Sequence, residues 1–363
     1  MGKRRRARAV LCSALLVAAC STSSDYVWAR AAPEPLIPRT PVTTVTPVPT
    51  ASAGKVTKKM PGSGRVRLAF AGDVHFQGSS AKALGGDIGS AGRILRRADL
   101  AVVNLETAIT TRGRAEPKQY TFRAPASGLR ALRRSGVDVV TVANNHGMDY
   151  GRIGLDDTLK AGKRSGVPMI GAGRNIDEAF TPYRRTIHGV RLAVFGATDV
   201  LDSFAVNSWK ATGETSGLAS SKDPERLLKA VREAARTDVV VVVLHWGVER
   251  QSCPTARQRE LADLLTDAGA SVVVGSHAHV LEPAVHRGRT AVHYGLGNFV
   301  FYANGGPGAR TGVYGVVVDR RGVVGTSWHP ARIHGGRPQL LSGRVADTAR
   351  REQKDLTVRC GVD

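Results

Sequence analysis

From Val66 onward the chain repeats one device: a short apolar run ends abruptly in polar residues, and an amphipathic stretch of helical length follows before the next run begins. Runs at 66–71, 99–104, 138–143, 190–197, 238–244 and 271–274 read as strands, and the stretches at 88–97, 126–135, 154–165, 224–236 and 255–268 read as helices. A chain that alternates in this way folds into α/β layers, because each helix carries it back across a sheet to start the next strand in parallel. After Thr290 the pattern changes to strands without helices, at 291–299, 312–319 and 322–333, separated by glycine-rich turns such as Gly305-Gly306-Pro307-Gly308. These later strands are expected to pair antiparallel, in a second sheet or at the edge of the first. No internal repeat and no change of composition follows Gly64, so residues 65–363 are read as a single domain.

Open α/β sheets bind ligands beyond the carboxyl ends of their strands, so the residues that close each apolar run belong together. The first run closes in Gly72-Asp73-Val74-His75, the second in Asn104-Leu105-Glu106 and the third in Asn144-Asn145-His146. Later runs close in His245-Trp246-Gly247-Val248-Glu249 and Gly275-Ser276-His277-Ala278-His279. Five of the ten histidines fall in these windows together with two carboxylates, Asp73 and Glu106, at the same kind of position, a concentration that scatter does not produce. Imidazole, carboxylate and amide oxygen are the donors that hold a divalent transition metal such as Mn, Zn, Fe or Co. Each pair alone reads equally well as a hydrogen-bonded histidine near a loop; it is the series that points to a metal.

The N-terminus reads as an address followed by a spacer. Residues 1–8 are basic and residues 9–19 apolar, a run of eleven that is too short to cross a bilayer core of about 30 Å and has the form of an export signal. Val17-Ala18-Ala19-Cys20 resembles the lipobox of bacterial lipoproteins, which implies a signal over 1–20 and lipidation of Cys20; a plain signal peptide with an incidental cysteine is the alternative. Residues 21–64 hold seven prolines among Thr, Ser and Ala with no apolar periodicity, and are expected to form an extended spacer without a core. The protein is therefore expected on the outer face of the cytoplasmic membrane, or secreted if Cys20 is not lipidated. In an oxidising compartment Cys253 and Cys360 are expected to join as a disulfide, the alternative being two separate thiols.

Composition narrows the partner. Lys and Arg number 52 against 30 Asp and Glu, a formal charge of +22, and removing the five basic residues Lys3, Arg4, Arg5, Arg6 and Arg8 of the signal leaves +17. The excess is spread through the chain, with no arm of the kind that binds a specific nucleic acid, and suits an anionic polymer or an anionic lipid surface. Apart from the N-terminus no apolar run approaches the length of a membrane span, and collagen and coiled-coil patterns are absent.

The order Asp73-x-His75, an acid after the second strand, Asn145-His146, His245 and His277-x-His279 is similar to that of the calcineurin-like metallophosphatases. More closely, Gly72-Asp73-Val74, Asn104-Leu105-Glu106, Ala143-Asn144-Asn145-His146, His245-Trp246-Gly247-x-Glu249, His277-x-His279-Val280 and Gly297-Asn298-Phe299 resemble the CapA-type capsule synthesis proteins, over residues 65–302. The resemblance implies an α/β/β/α sandwich of two mixed sheets flanked by helices, and a role in synthesis or export of an envelope polymer of the poly-gamma-glutamate type by a membrane-attached protein. It also implies two divalent ions: one on Asp73, His75 and His279, the other on Asn145, His245 and His277, with Glu106 between them and His146 beside them as proton donor or phosphate-facing cation. Two such ions about 3.5 to 4 Å apart lower the pKa of a shared water and clamp an in-line displacement. Two departures stand out. Glu106 occupies the place where metallophosphatases put Asp, and His75 is closer to a phosphatase than the apolar residue expected in many capsule proteins.

Two further residues are weaker candidates. Glu249 is read as a carboxylate orienting His245, or as an ordinary loop carboxylate, and Arg123 as a bidentate clamp for an anionic substrate, or as a solvated side chain. Two other readings of the whole are a metal-dependent phosphoester hydrolase of the envelope and a non-catalytic polyanion-binding lipoprotein.

Overall fold

The structure, a computed structural model, describes residues 64–303 and 305–362. The expected signal over 1–20 with Cys20, and the spacer over 21–64 except for Gly64, lie outside the described residues. Along the chain come β1 (Val66–Val74), α1 (Gly92–Arg97), β2 (Leu100–Leu105), α2 (Ser127–Arg134), β3 (Val139–Thr141), α3 (Gly151–Ser165) and β4 (Met169–Ile170). They are followed by β5 (Tyr183–Ile187), β6 (Val190–Thr198), α4 (Glu225–Ala235), β7 (Val239–His245), α5 (Ala256–Asp267) and β8 (Ala270–Ser276). The chain closes with β9 (Ala284–Arg287), β10 (Thr290–His293), β11 (Asn298–Val300), β12 (Arg310–Asp319), β13 (Gly322–His334), β14 (Arg337–Leu340) and α6 (Gly343–Cys360).

The strands make two mixed sheets. One runs β14-β13-β12-β1-β2-β3-β4, with β11 parallel beside β1; the other runs β9-β10-β8-β7-β6-β5. In the first, β1, β2, β3 and β4 are parallel and β12, β13 and β14 antiparallel. In the second, β6, β7, β8 and β10 are parallel and the edge strands β5 and β9 antiparallel.

Because side chains alternate along a strand, each central strand feeds two cores. Val66, Leu68 and Phe70 of β1 meet Val190, Leu192 and Val194 of β6 and Val239, Val241 and Val243 of β7 between the sheets. The intervening Ala69 and Ala71 face Leu95 of α1, Leu129 and Leu132 of α2 and Leu155 of α3. On the far side Val240, Val242 and Leu244 face Leu227, Leu228 and Val231 of α4 and Leu261 and Leu265 of α5. Strands buried on both faces read as continuous apolar runs, which is why Val239–His245 shows no alternation. Each fully buried Val, Leu or Phe contributes about 1.5–3 kcal/mol, so these three cores hold the four-layer sandwich together.

Two expectations for the C-terminal part are corrected. The strands after Thr290 divide: β12, β13 and β14 pair antiparallel at one side of the first sheet as expected, whereas β10 joins the second sheet in parallel and β11 lies parallel beside β1. The chain also ends in an unexpected helix, α6, which buries only Ala346, Gln353, Leu356 and Cys360, so its apolar stripe is too thin to read in the sequence. Cys253 and Cys360 form a disulfide, with Cα atoms 5.2 Å apart, tying the end of α6 to the loop that leads into α5. That loop ends in a capping box, in which the Thr255 hydroxyl accepts from the Gln258 amide and the Gln258 side chain accepts from the Thr255 amide. No helix among the described residues is long and apolar enough to cross a membrane.

Candidate metal centre

The parallel strands of both sheets end on one side, and there the polar residues of the sequence series converge. Asp73 closes β1 between β2 and β11, donating its amide to the Gly297 carbonyl at 3.0 Å. That approach requires Gly72, where a Cβ would stand 1.7 Å from the same carbonyl oxygen. Glu106 follows β2, its amide bonded to the Val74 carbonyl at 2.8 Å. His245 closes β7, and His277 and His279 leave β8 in the positive-φ region at +97° and +56°. Histidine rarely adopts this region, and such outliers cluster where a site fixes the direction of its ligands.

Ligand atoms gather in two groups, each within 4.8 Å: Asp73, Glu106 and His279 in one, Glu106, His245 and His277 in the other. Glu106 belongs to both. Three lone-pair atoms surround His245 Nε2: Asn145 Oδ1 at 2.8 Å, His277 Nδ1 at 3.1 Å and Glu106 Oε1 at 3.4 Å. One proton on Nε2 can be shared with only one of them, whereas a cation among the four serves all. On the other side His279 Nδ1 lies 3.2 Å from Asp73 Oδ2, and His279 Nε2 lies 3.9 Å from Glu106 Oε1.

The electrostatics point the same way. Glu106 is fully buried, and neither of its carboxylate oxygens has a hydrogen-bond partner. Burial, reinforced by the charge of Asp73, pushes its pKa well above the carboxylate range, and burial holds the His245 and His277 rings well below the usual imidazole range. Burial also opposes charge on His279, but the carboxylates of Glu106 and Asp73 outweigh it and raise its pKa to about 10. The neutral His245 and His277 rings, with free lone pairs beside a carboxylate that no hydrogen bond satisfies, fit a divalent transition ion, and a nitrogen and oxygen set without thiolate suits Mn, Fe or Zn.

Neighbours that the sequence reading left without roles orient these ligands. Asn104 Nδ2 donates to Asp73 Oδ1 at 2.8 Å and lies 3.2 Å from His245 Nδ1, and the Ser276 hydroxyl stands 3.1 Å from the same nitrogen. Asn298 faces His279 Nδ1 with its Oδ1 at 2.9 Å and donates its Nδ2 to the carbonyls of His279 and Gly308. Partners of this kind fix the tautomer and the direction of a metal-binding imidazole. His146 lies beside the centre with Nδ1 2.7 Å from Asp149 Oδ2, and burial keeps its ring well below the usual pKa. Burial lifts Asp149 to about 7, although Lys118, 3.1 Å from Asp149 and 2.9 Å from Asp202, opposes the rise. Lys118, Asp149 and Asp202 stand outside the strand-end windows; Asp149 is three residues along from His146, and the fold brings Lys118 and Asp202 to the pair.

Three expected residues sit differently. The Gln77 amide donates to His75 Nδ1 at 2.9 Å, so the neutral ring carries its proton on Nε2, which is buried and unpartnered, and offers no lone pair there. His75 falls in neither ligand group; it packs among Phe122, Phe301 and Tyr302, with ring centroids 4.0 to 4.7 Å away. Glu249 is exposed and does not orient His245, whose Nδ1 neighbours are Asn104 and Ser276, although its charge reaches Glu106 and His279. Arg123 is exposed, with its guanidinium stacked over Tyr150 at 4.9 Å and no described contact to the ligand groups.

Two facing mixed sheets under helices, with paired ligand groups at their common strand ends, place the molecule in the metallophosphatase-like class of folds. Within that class the chain belongs to the family of the bacterial capsule synthesis protein PGA_cap, whose profile matches residues 67–303. Relatives include the PGA biosynthesis protein CapA of Bacillus subtilis, 35% identical over 57% of this chain and 54% of that protein. The capsule biosynthesis protein CapA of Bacillus anthracis is 37% identical over 51% of this chain and 45% of its own. A probable polyglutamine synthesis accessory protein of Mycobacterium tuberculosis is 30% identical over 56% and 55%. The chain thus spans about half the length of the curated relatives it matches. Among solved structures, a hypothetical protein of Thermus thermophilus aligns with a TM-score of 0.49 at 21% identity, covering 74% of this chain and all of that one. Sulfate thiohydrolase SoxB of the same organism aligns with a TM-score of 0.46 at 14% identity, covering 83% of this chain and 62% of that one.

Proposed function

We propose that this protein acts in the synthesis or export of an anionic envelope polymer of the poly-gamma-glutamate type, with a divalent-metal centre shared through Glu106 as its working site. The observation that carries the metal reading is the Glu106 carboxylate, fully buried, without a donor on either oxygen and common to both ligand groups. Family membership and the +17 charge outside the signal support the polymer. The export signal, the spacer and a lipid on Cys20 complete the proposal, holding the domain at the outer face of the cytoplasmic membrane where such a polymer emerges.

A cation held by these residues supplies Lewis-acid charge to an anionic oxygen of the bound chain. The protein's own groups do the rest. Asn104, Ser276 and Asn298 hold the imidazoles in direction, while Phe122, Phe301 and Tyr302 wall one side with aromatic surface. With Nδ1 turned to Asp149, His146 presents Nε2 for proton exchange with a bound oxygen.

That same His146–Asp149 pair favours a second reading, a phosphoester hydrolase of the envelope, since a base oriented by a carboxylate beside two cations is the equipment of phosphoester cleavage. The two readings separate in one experiment on metal-loaded full-length protein, which measures binding of a gamma-linked glutamate oligomer beside turnover of a phosphodiester panel. Selective binding with no turnover supports the polymer role. Turnover abolished by His146→Ala, with no preference for the glutamate oligomer over an unrelated polyanion, replaces it with hydrolysis.

A further inference from the structure

A cleft of about 870 Å³ opens between the ends of β12 and β13 and helix α6, away from the ligand groups. Five arginines line it, Arg250, Arg310, Arg332, Arg344 and Arg359, against two carboxylates, Glu352 and Asp355. Arg310 is paired with Glu352 at 3.4 Å. The side chains of the other four make no ion pair or hydrogen bond among the described residues, and they reach the cleft from three separate parts of the chain: the loop after β7, the end of β13 and both ends of α6. Unpaired guanidiniums repel one another, and their assembly around one hollow is the arrangement that a multivalent anion stabilises through bidentate contacts.

A second observation comes from the surface between the arginines. Between these groups the lining is aliphatic, with Val280, Leu281, Leu341 and Leu356, and Trp328 is its one aromatic residue. Single-stranded nucleic acids are held by stacking on several aromatic rings. Aliphatic surface interrupted by guanidiniums instead matches carboxylates spaced along a methylene and amide chain.

The cleft also borders the metal-binding loop. Val280 and Leu281 follow His279 directly, and the Arg250 amide donates to the Ala278 carbonyl, between the two histidines, at 2.7 Å. We infer that this cleft is a binding site, separate from the metal ligands, for a run of carboxylates on an amide and methylene backbone, and that it holds a poly-glutamate chain against the outer side of the loop carrying His277 and His279. The inference rests on the polymer reading above and says where the polymer lies.

The test is anisotropy of a labelled gamma-linked glutamate decamer with the full-length protein at fixed ionic strength. Arg332→Glu with Arg344→Glu reverses two cleft charges, whereas Arg351→Glu with Lys354→Glu makes the same change of net charge on α6 outside the lining. The expected result is at least tenfold weaker binding for the cleft pair and less than threefold for the outer pair, with bound metal equal in all three proteins. Equal weakening by both pairs, or by neither, while the wild type still prefers the decamer, overturns the cleft and leaves the polymer reading standing. A wild type that binds the decamer no better than a phosphodiester oligomer of equal charge overturns both.

Discussion

A carboxylate with both oxygens buried and neither of them hydrogen-bonded is costly to leave in a protein core, and Glu106 is in that position next to the Asp73 charge. Replacing it by a neutral amide should therefore divide two properties that usually fall together. Glu106→Gln is expected to lose bound metal, yet in chelator its melting temperature should equal or exceed that of the wild type; a melting temperature several degrees lower contradicts the account. His75 gives the opposite expectation, because its ring is proton-bearing on the buried nitrogen and packed among aromatics. His75→Phe should keep its full metal content, and loss of one ion would return His75 to the ligands. Glu282, three residues beyond His279, has both carboxylate oxygens near Gln258 Nε2, at 3.2 and 3.0 Å, and burial pushes its pKa from 4.5 to about 8. The folded state holds this proton over a range where the unfolded chain has lost it, so the stability it contributes is complete below pH 4.5 and is lost as pH rises through about 8. Thermal melts should show Glu282→Gln close to wild type near pH 4.5 and gaining on it up to about pH 8; a gap independent of pH contradicts the assignment.

At the scale of elements, the bridge between Cys253 and Cys360 closes a span of 107 residues and anchors α6, which has few apolar contacts of its own. Cys360→Ser is expected to lower stability by about 2–5 kcal/mol, read as a drop in melting temperature of several degrees. A drop too small to resolve would mean that α6 docks without it. This helix also marks where sequence reading stopped. The central strands and the helices packed on them were legible because they are buried on both faces or carry a full apolar stripe, whereas α6 buries a small residue, an amide, one leucine and a cysteine. The ligand series was legible for a related reason: a parallel sheet puts each strand's closing residues on one side, so Asp73, Glu106, His245, His277 and His279 fall together once the strands are placed. Lys118 and Asp202 were not, because they sit in irregular segments and reach His146 through contacts that no local pattern encodes. His75 falls outside the two ligand groups, and Asp-x-His spacing says nothing about which ring nitrogen a backbone amide occupies.

For the whole molecule, a net charge of +22, still +17 without the five basic residues between positions 3 and 8, draws polyanions of any kind, so selectivity has to come from built surfaces. Polymer binding that depends on such a surface should keep its preference for the glutamate oligomer over an equally charged phosphodiester as salt is raised, while the affinity for both falls. The account as a whole turns on the two ligand groups that share Glu106, and the most direct measurement is metal stoichiometry by elemental mass spectrometry on the full-length protein after incubation with Mn, Fe and Zn, beside Asp73→Ala and His277→Ala. The account predicts about two equivalents in the wild type, in keeping with the paired-ion arrangement of such sites, and a loss in each variant. A wild-type protein that stays empty, or variants that retain the full complement, would contradict it.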